Sequence, residues 1–134
     1  MTTEMIIEFP GGPKRVDTHI RGFTVKTDSS IEGGGEGLAP SPGAIFLAGL
    51  GACTASTGRT YCRTHGFPIP EQVKAIVHSN PETGVVERIE FEFIVPEGFP
   101  EDHLEALTRA AGACDVKKMW QNVPEFSATA RINR

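Results

Sequence analysis

Only three cysteines, one tryptophan and one tyrosine occur in the 134 residues, and neither sign of charge gathers into long runs. Each scarcity excludes something. Three cysteines are too few, and odd in number, for the disulfide framework that props up small secreted domains. The opening MTTEMIIEF lacks the basic, apolar, small-residue order of a secretory signal, so a reducing, cytoplasmic setting is expected. Thirteen basic against seventeen acidic residues leave a net charge of −4, which argues against nucleic acid as a partner. The longest uncharged stretch, residues 37–58, is glycine-rich, and its apolar run falls short of the roughly twenty residues that cross a bilayer, so no membrane segment is expected. Internal repeats and low-complexity tracts are also missing. The length fits one domain, residues 1–134, with one core.

What is present is organised around SPGAIFLAGLGACTASTGRTYCRTHG, residues 41–66, which reads as one long helix. Ser41 can cap free N–H groups and Pro42 suits the first helical position. At the far end Arg63 and His65 favour the negative pole, Gly66 can take a left-handed conformation and Pro68 forbids continuation. With about 100° per residue, Ala44, Ala48, Gly51, Ala55, Gly58 and Cys62 form a seam of small side chains, open to close approach by a second helix. Leu47, Leu50 and Tyr61 flank it. Cys53 falls on the opposite side with Phe46, Gly49, Ser56, Thr57 and Thr60, among hydroxyls. A helix apolar nearly all round exceeds what one small sheet can cover, which predicts a homodimer burying these seams against each other or under each other's sheets.

Around the helix, alternation predicts strands. Met5–Phe9 is followed by a turn at Pro10, Gly11, Gly12 and Pro13; Val16, Thr18 and Ile20, then Phe23 and Val25, give two more strands. The glycine-rich connection between Thr27 and Pro42 is expected to be a flexible lid or edge cover. Val73, Ala75 and Val77 pair as a hairpin with Ile89, Phe91, Phe93 and Val95. Pro100, Glu101 and Asp102 open a second helix whose inner face carries Leu104, Leu107, Ala111 and Cys114. Asp115 is placed as the cap of a short turn, VKKMW, before a final strand with Phe126, Ala128, Ala130 and Ile132 inward. The order is β-β-β-α-β-β-α-β, an α+β fold with a long buried central helix.

The cysteines narrow the chemistry. Cys53 and Cys62 sit on opposite sides of one helix with about 13 Å of rise between them, too far for a disulfide. Cys114, ending the second helix on its inner face, can meet Cys53 across the core. Cys62 and His65 have C-x-x-H spacing, but no second pair stands near, so no metal is expected. Gly33–Gly37 lacks the strand, helix and lysine of a phosphate loop, and no cofactor is expected. His19, His78 and His103 are expected to be exposed.

The stretch AIFLAGLGAC, the glycine-rich approach with FTVKTD before it, and a second cysteine about sixty residues on together resemble the OsmC family, the osmotically inducible and organic hydroperoxide resistance proteins. The resemblance implies an intertwined homodimer in which Cys53 attacks a peroxide to give a sulfenic acid and Cys114 resolves it as a disulfide. It implies that Arg15, in the turn GGPKR, or Arg21 polarises the peroxide. The implied partners are a small organic hydroperoxide or apolar ligand and, as reductant, a dithiol or lipoylated protein. Gly43 and Ala44 occupy the positions where the family usually has a glutamate, and Asp115 and Val116 follow the second cysteine in place of proline and an apolar residue. A dimeric small-ligand-binding protein, or a redox sensor without efficient peroxidase turnover, is the alternative.

Overall fold

The computed structural model describes residues 1–133, and the chain forms two compact units, Met1–Gly49 and Leu50–Arg134. In the first, strands β1 (Met5–Glu8), β2 (Val16–Ile20) and β3 (Phe23–Thr27) make an antiparallel sheet in the order β1-β2-β3, with Ile7 opposite Thr18 and Thr18 opposite Val25. Between β2 and β3 only Arg21 and Gly22 remain, and both have positive φ, 50° and 83°. That pair of left-handed residues makes the tight turn whose twist matches the flanking strands.

The glycine-rich connection, expected as a flexible lid or edge cover, is a loop tied by hydrogen bonds. Asp28, 1% exposed, is its centre. One carboxylate oxygen accepts from Ser29 N–H at 2.7 Å, and the other from Leu38 N–H at 3.1 Å and Glu36 N–H at 3.3 Å, while Asp28 N–H donates to Pro40 O at 3.0 Å. Gly35 has no room for a side chain, since an added Cβ would lie 2.6 Å from Asp28 Oδ1.

Burial pushes the Asp28 carboxyl up, but the N–H groups of Leu38, Ser29 and Glu36 and the positive charge of Arg15 outweigh it and hold the group below its ordinary value. A carboxyl lowered in the folded state contributes stability that is present above the ordinary carboxylate range and is lost as pH falls below it. Acid titration followed by amide exchange should show the Glu36 and Leu38 amides losing protection in that low window. Asp28→Asn should remove that pH dependence. Unchanged acid sensitivity in the variant would contradict this role.

Helix α1 (Pro42–His65) begins and ends as its sequence dictates. Ala44 N–H donates to Ser41 Oγ at 3.2 Å. At the C-terminus Gly66 has φ +70°, its N–H donates to Arg63 O at 3.2 Å, and Phe67 N–H donates to Cys62 O at 2.9 Å, the paired bonds of a Schellman close. Only one stripe of the helix is buried, Leu50, Thr54, Gly58 and Cys62, one residue per turn. Burial on nearly all sides, expected from composition, is therefore not found in the single chain, and Phe46 is 55% exposed.

In the second unit, β4 (Gln72–Ser79) pairs antiparallel with β5 (Val86–Ile94), placing Val73 opposite Phe93 and Ala75 opposite Phe91. The ring of Phe93 lies on Gly58: an added Cβ there would run into Phe93 Cε1 and come within 2.7 Å of Cζ. At this position the small-residue seam admits an aromatic ring from a strand of the same chain. Gly51 meets nothing within 4 Å. The core gathers Cys62, Phe99 and Leu107, with Tyr61, Phe67, Phe93 and Val95 packed around them.

A 3₁₀ turn, Glu101–His103, leads into helix α2 (Leu104–Ala111), which buries Leu107 and Ala111. His103 is not the exposed residue expected. Its Nδ1 is 3.0 Å from Tyr61 Oη, and its ring is edge-on to Phe67 with centroids 4.7 Å apart.

The chain then departs from the expected order. A third helix, α3 (Asp115–Gln121), forms, and its N-cap is Cys114 rather than Asp115. Asp115 is exposed in the first turn, near Lys118 at 3.7 Å. Among the described residues no strand follows; residues 123–133 are irregular, and Phe126 is 82% exposed. Alternation supplies the two faces of a strand but not the neighbouring ladder that must satisfy its N–H and C=O groups. Neither sheet of this chain includes the segment.

Candidate functional site

Two elements bring the site together within the unit Leu50–Arg134. Helix α1 carries Cys53, half-buried, and Thr54, 5% exposed. The junction of α2 and α3 carries Cys114, 1% exposed. Ala113 N–H donates to Ala110 O and ends α2, and Cys114 then turns to extended backbone, φ −72° and ψ 145°, so that its sulfur caps α3. Lys117 N–H donates to Cys114 Sγ at 3.3 Å, and the Thr54 hydroxyl is hydrogen-bonded to the same sulfur at 3.5 Å. The Cys53 thiol is a further hydrogen-bonding neighbour. All three cysteines are free thiols.

The electrostatics of the two buried sulfurs diverge. Burial pushes the Cys114 thiol up, yet hydrogen bonds from Thr54, the Lys117 N–H, the Cys53 thiol and the Val116 N–H outweigh it and hold the group below its ordinary value. Cys62 lies in the core, where burial pushes its thiol up and outweighs the one backbone N–H that lowers it. Cys62 packs as a small apolar group of the core.

The sequence had placed Cys53 among the hydroxyls of Ser56, Thr57 and Thr60. Thr57 instead donates to Cys53 O at 2.8 Å and Thr60 to Ser56 O at 3.0 Å, so both hydroxyls are taken by backbone. The hydroxyl that reaches a sulfur belongs to Thr54, which sequence reasoning passed over. Its signal was its place on the stripe of Leu50, Gly58 and Cys62, the stripe that is buried.

Beside the Cys114 cradle lies a cavity of about 470 Å³. Leu50, Ile89, Phe91, Phe93 and Trp120 supply much of its apolar wall, and Thr54 and Lys117, two of the residues hydrogen-bonded to Cys114, line it as well. A cavity of this size and character suits a small, mostly apolar molecule.

Arg15 and Arg21 both belong to the unit Met1–Gly49. Arg21 stands in the β2–β3 turn and its Nη2 donates to Thr3 Oγ1 at 3.1 Å. Arg15 precedes β2, and its charge acts on Asp28. Its side chain flanks Gly12 together with the Glu36 carboxylate: an added Cβ at Gly12 would sit 3.3 Å from Arg15 Cδ and run into Glu36 Oε1. Asp28 and Glu36 thus lie in the neighbourhood of Arg15, whereas Gly43 and Ala44 offer no acid. Among the described residues no three His, Cys, Asp or Glu side chains converge as a metal site, and no helix is long and apolar enough to cross a membrane.

Comparison with known proteins places these features. Residues 33–129 match the family described as OsmC-like protein. A Psychrobacter arcticus structure, described as an osmotic stress induced and detoxification response protein, superimposes with TM-score 0.70 at 18% identity, over 88% of this chain and 87% of that one. A Legionella pneumophila organic hydroperoxide resistance protein OsmC gives TM-score 0.58 at 21% identity, over 88% of each chain. A hypothetical protein of Aquifex aeolicus gives 0.64 at 14% identity, over 90% and 88%. No curated protein matches the sequence. At these identities the likeness to solved structures is one of fold, a mixed α+β architecture.

Proposed function

The chain belongs to the OsmC family, and from that premise we propose that it is a thiol-dependent peroxidase for organic hydroperoxides. The observation that carries this reading is the pairing of a half-buried Cys53 with a buried Cys114 whose sulfur is held by two hydrogen bonds. Cys53 thiolate attacks the distal peroxide oxygen, the O–O bond breaks, and the alkoxide leaves as alcohol after taking a proton, giving Cys53 sulfenic acid. Cys114 thiolate then attacks that sulfur, the S–O bond breaks, and hydroxide leaves as water after protonation. The product is a Cys53–Cys114 disulfide, which a dithiol or lipoylated protein returns to two thiols.

The apolar cavity beside Cys114 supports an organic rather than a small inorganic substrate. Arg15 or Arg21 polarises the peroxide, with Asp28 or Glu36 standing in for the glutamate missing at Gly43 and Ala44. The exposed apolar residues Phe46, Phe126 and Ile132 favour a homodimer, in which the alternating segment 126–132 would find a sheet. The small number of cysteines favours a reducing, cytoplasmic setting.

Mixing the reduced protein with cumene hydroperoxide or hydrogen peroxide tests the reading. Rapid consumption of the organic peroxide, slower consumption of hydrogen peroxide, and a Cys53–Cys114 disulfide located by mass spectrometry are expected. Consumption no faster than that by free cysteine would refute turnover. The same cavity and thiols would then favour a ligand-binding or redox-sensing protein.

A further inference from the structure

Helix α1 contains several threonines, and they do not behave alike. A threonine inside a helix ordinarily returns its hydroxyl to the carbonyl of the preceding turn. Thr57 and Thr60 do so, at 2.8 and 3.0 Å. Thr54 is the most enclosed of the three, and a buried hydroxyl must find a partner. Its hydrogen bond goes to the Cys114 sulfur, sixty residues along the chain. That sulfur accepts the N–H of Lys117, so polar groups of α1 and α3 meet on one atom.

We propose that Thr54 is a positioning residue for the redox pair: its hydroxyl holds the Cys114 sulfur beside Cys53 and makes Cys114 the leaving sulfur when a reducing thiol opens the disulfide. The inference rests on the reading of Cys53 and Cys114 as a disulfide-forming pair. In the step concerned, a reductant thiolate attacks Cys53 Sγ, a new S–S bond forms to Cys53, the Cys53–Cys114 bond breaks, and its electron pair leaves on Cys114. The second thiolate of the same dithiol then attacks its own sulfur in the mixed disulfide and expels Cys53 thiolate. Two electrons pass to the protein and the reductant becomes a disulfide.

Two observations set this polarity. Access favours Cys53, which is half-buried, over Cys114, which is 1% exposed. Leaving ability favours Cys114, because a thiolate met by a hydroxyl and an N–H departs more readily than one without such donors. The same contacts are the first of those that lower the Cys114 thiol.

The test avoids peroxide. In a Cys62→Ala background the disulfide is formed with diamide and opened with glutathione, and the mixed disulfide is trapped by alkylation and located by mass spectrometry. Glutathione should be found on Cys53. Thr54→Val should slow the opening severalfold, and Thr54→Ser, which keeps the hydroxyl, should restore it. With Cys53 also replaced by serine, the ultraviolet absorbance of the Cys114 thiolate should titrate on the order of one pH unit higher in Thr54→Val, the scale of one hydrogen bond to a charged group. Thr54→Ala should behave as Thr54→Val, which guards against an effect of the branched side chain. Glutathione on Cys114, or a titration unmoved by removing the hydroxyl, would overturn the role of Thr54 alone. If diamide closes no Cys53–Cys114 disulfide, the reading of the pair falls with it.

Discussion

Cys53→Ser should lose hydroperoxide turnover by on the order of 10³-fold or more, the scale on which removing a covalent nucleophile acts. Serine keeps the size of the side chain but offers no thiolate at neutral pH, so the peroxide O–O bond meets no competent attacking atom. Cys114→Ser should fail differently. Its Cys53 should still consume one equivalent of peroxide in a rapid first phase, because the attacking atom is intact. The sulfenic acid then lacks its resolving partner, and excess peroxide drives it to sulfinic acid. Stopped-flow peroxide consumption with mass spectrometry separates the two: no burst in Cys53→Ser, and a burst with a mass gain of two oxygens in Cys114→Ser. A rapid burst in Cys53→Ser that is absent from Cys114→Ser would reverse the assignment of the two roles.

The largest effect on stability is expected at Leu107→Ala. Leu107 is 1% exposed and packs with Cys62 and Phe99 at the centre of the core. Truncation removes the transfer free energy of the lost methyl and methylene groups and leaves a cavity that the surrounding rings fill only partly, a cost of about 2–5 kcal/mol. Tyr61, Phe67, Phe93 and Val95 border the same cluster from α1, its C-terminal exit and the β5 region, so relaxation there requires several elements to move at once. Urea unfolding at fixed protein concentration should show a lower midpoint with an unchanged slope. A shift below about 1 kcal/mol would be what a surface position gives, and would contradict the placement of Leu107 in the core.

Local chemistry was legible at the ends of α1 and along β5, though not at Cys114, which caps α3 in place of Asp115. Ser41, Pro42 and Gly66 set the ends of α1 through bonds that span only a few residues, and the structure contains those bonds. The alternation of Ile89, Phe91 and Phe93 foretold β5 because a strand has period two wherever it lies. The pattern around AIFLAGLGAC led to the family that residues 33–129 match. Where spacing was used beyond one element, it was less complete. Phe126, Ala128, Ala130 and Ile132 carry a strand's period, yet a period does not supply a neighbouring strand. The small seam of α1 implied close approach by another element without saying which, and at Gly58 it takes the ring of Phe93.

By itself, then, the sequence determined the long helix, the hairpin of β4 and β5, the α+β class and the candidate cysteines, since these follow from backbone sterics, capping and periodicity along the chain. Tertiary structure alone decided which stripe of the helix is buried, that Asp28 ties the glycine-rich loop, and that Thr54 and the Lys117 N–H converge on the Cys114 sulfur. The physical reason is the range of the interactions. A cap or a turn is satisfied by its neighbours, whereas a hydroxyl meets a thiol sixty residues away only after α1, α2 and α3 have packed.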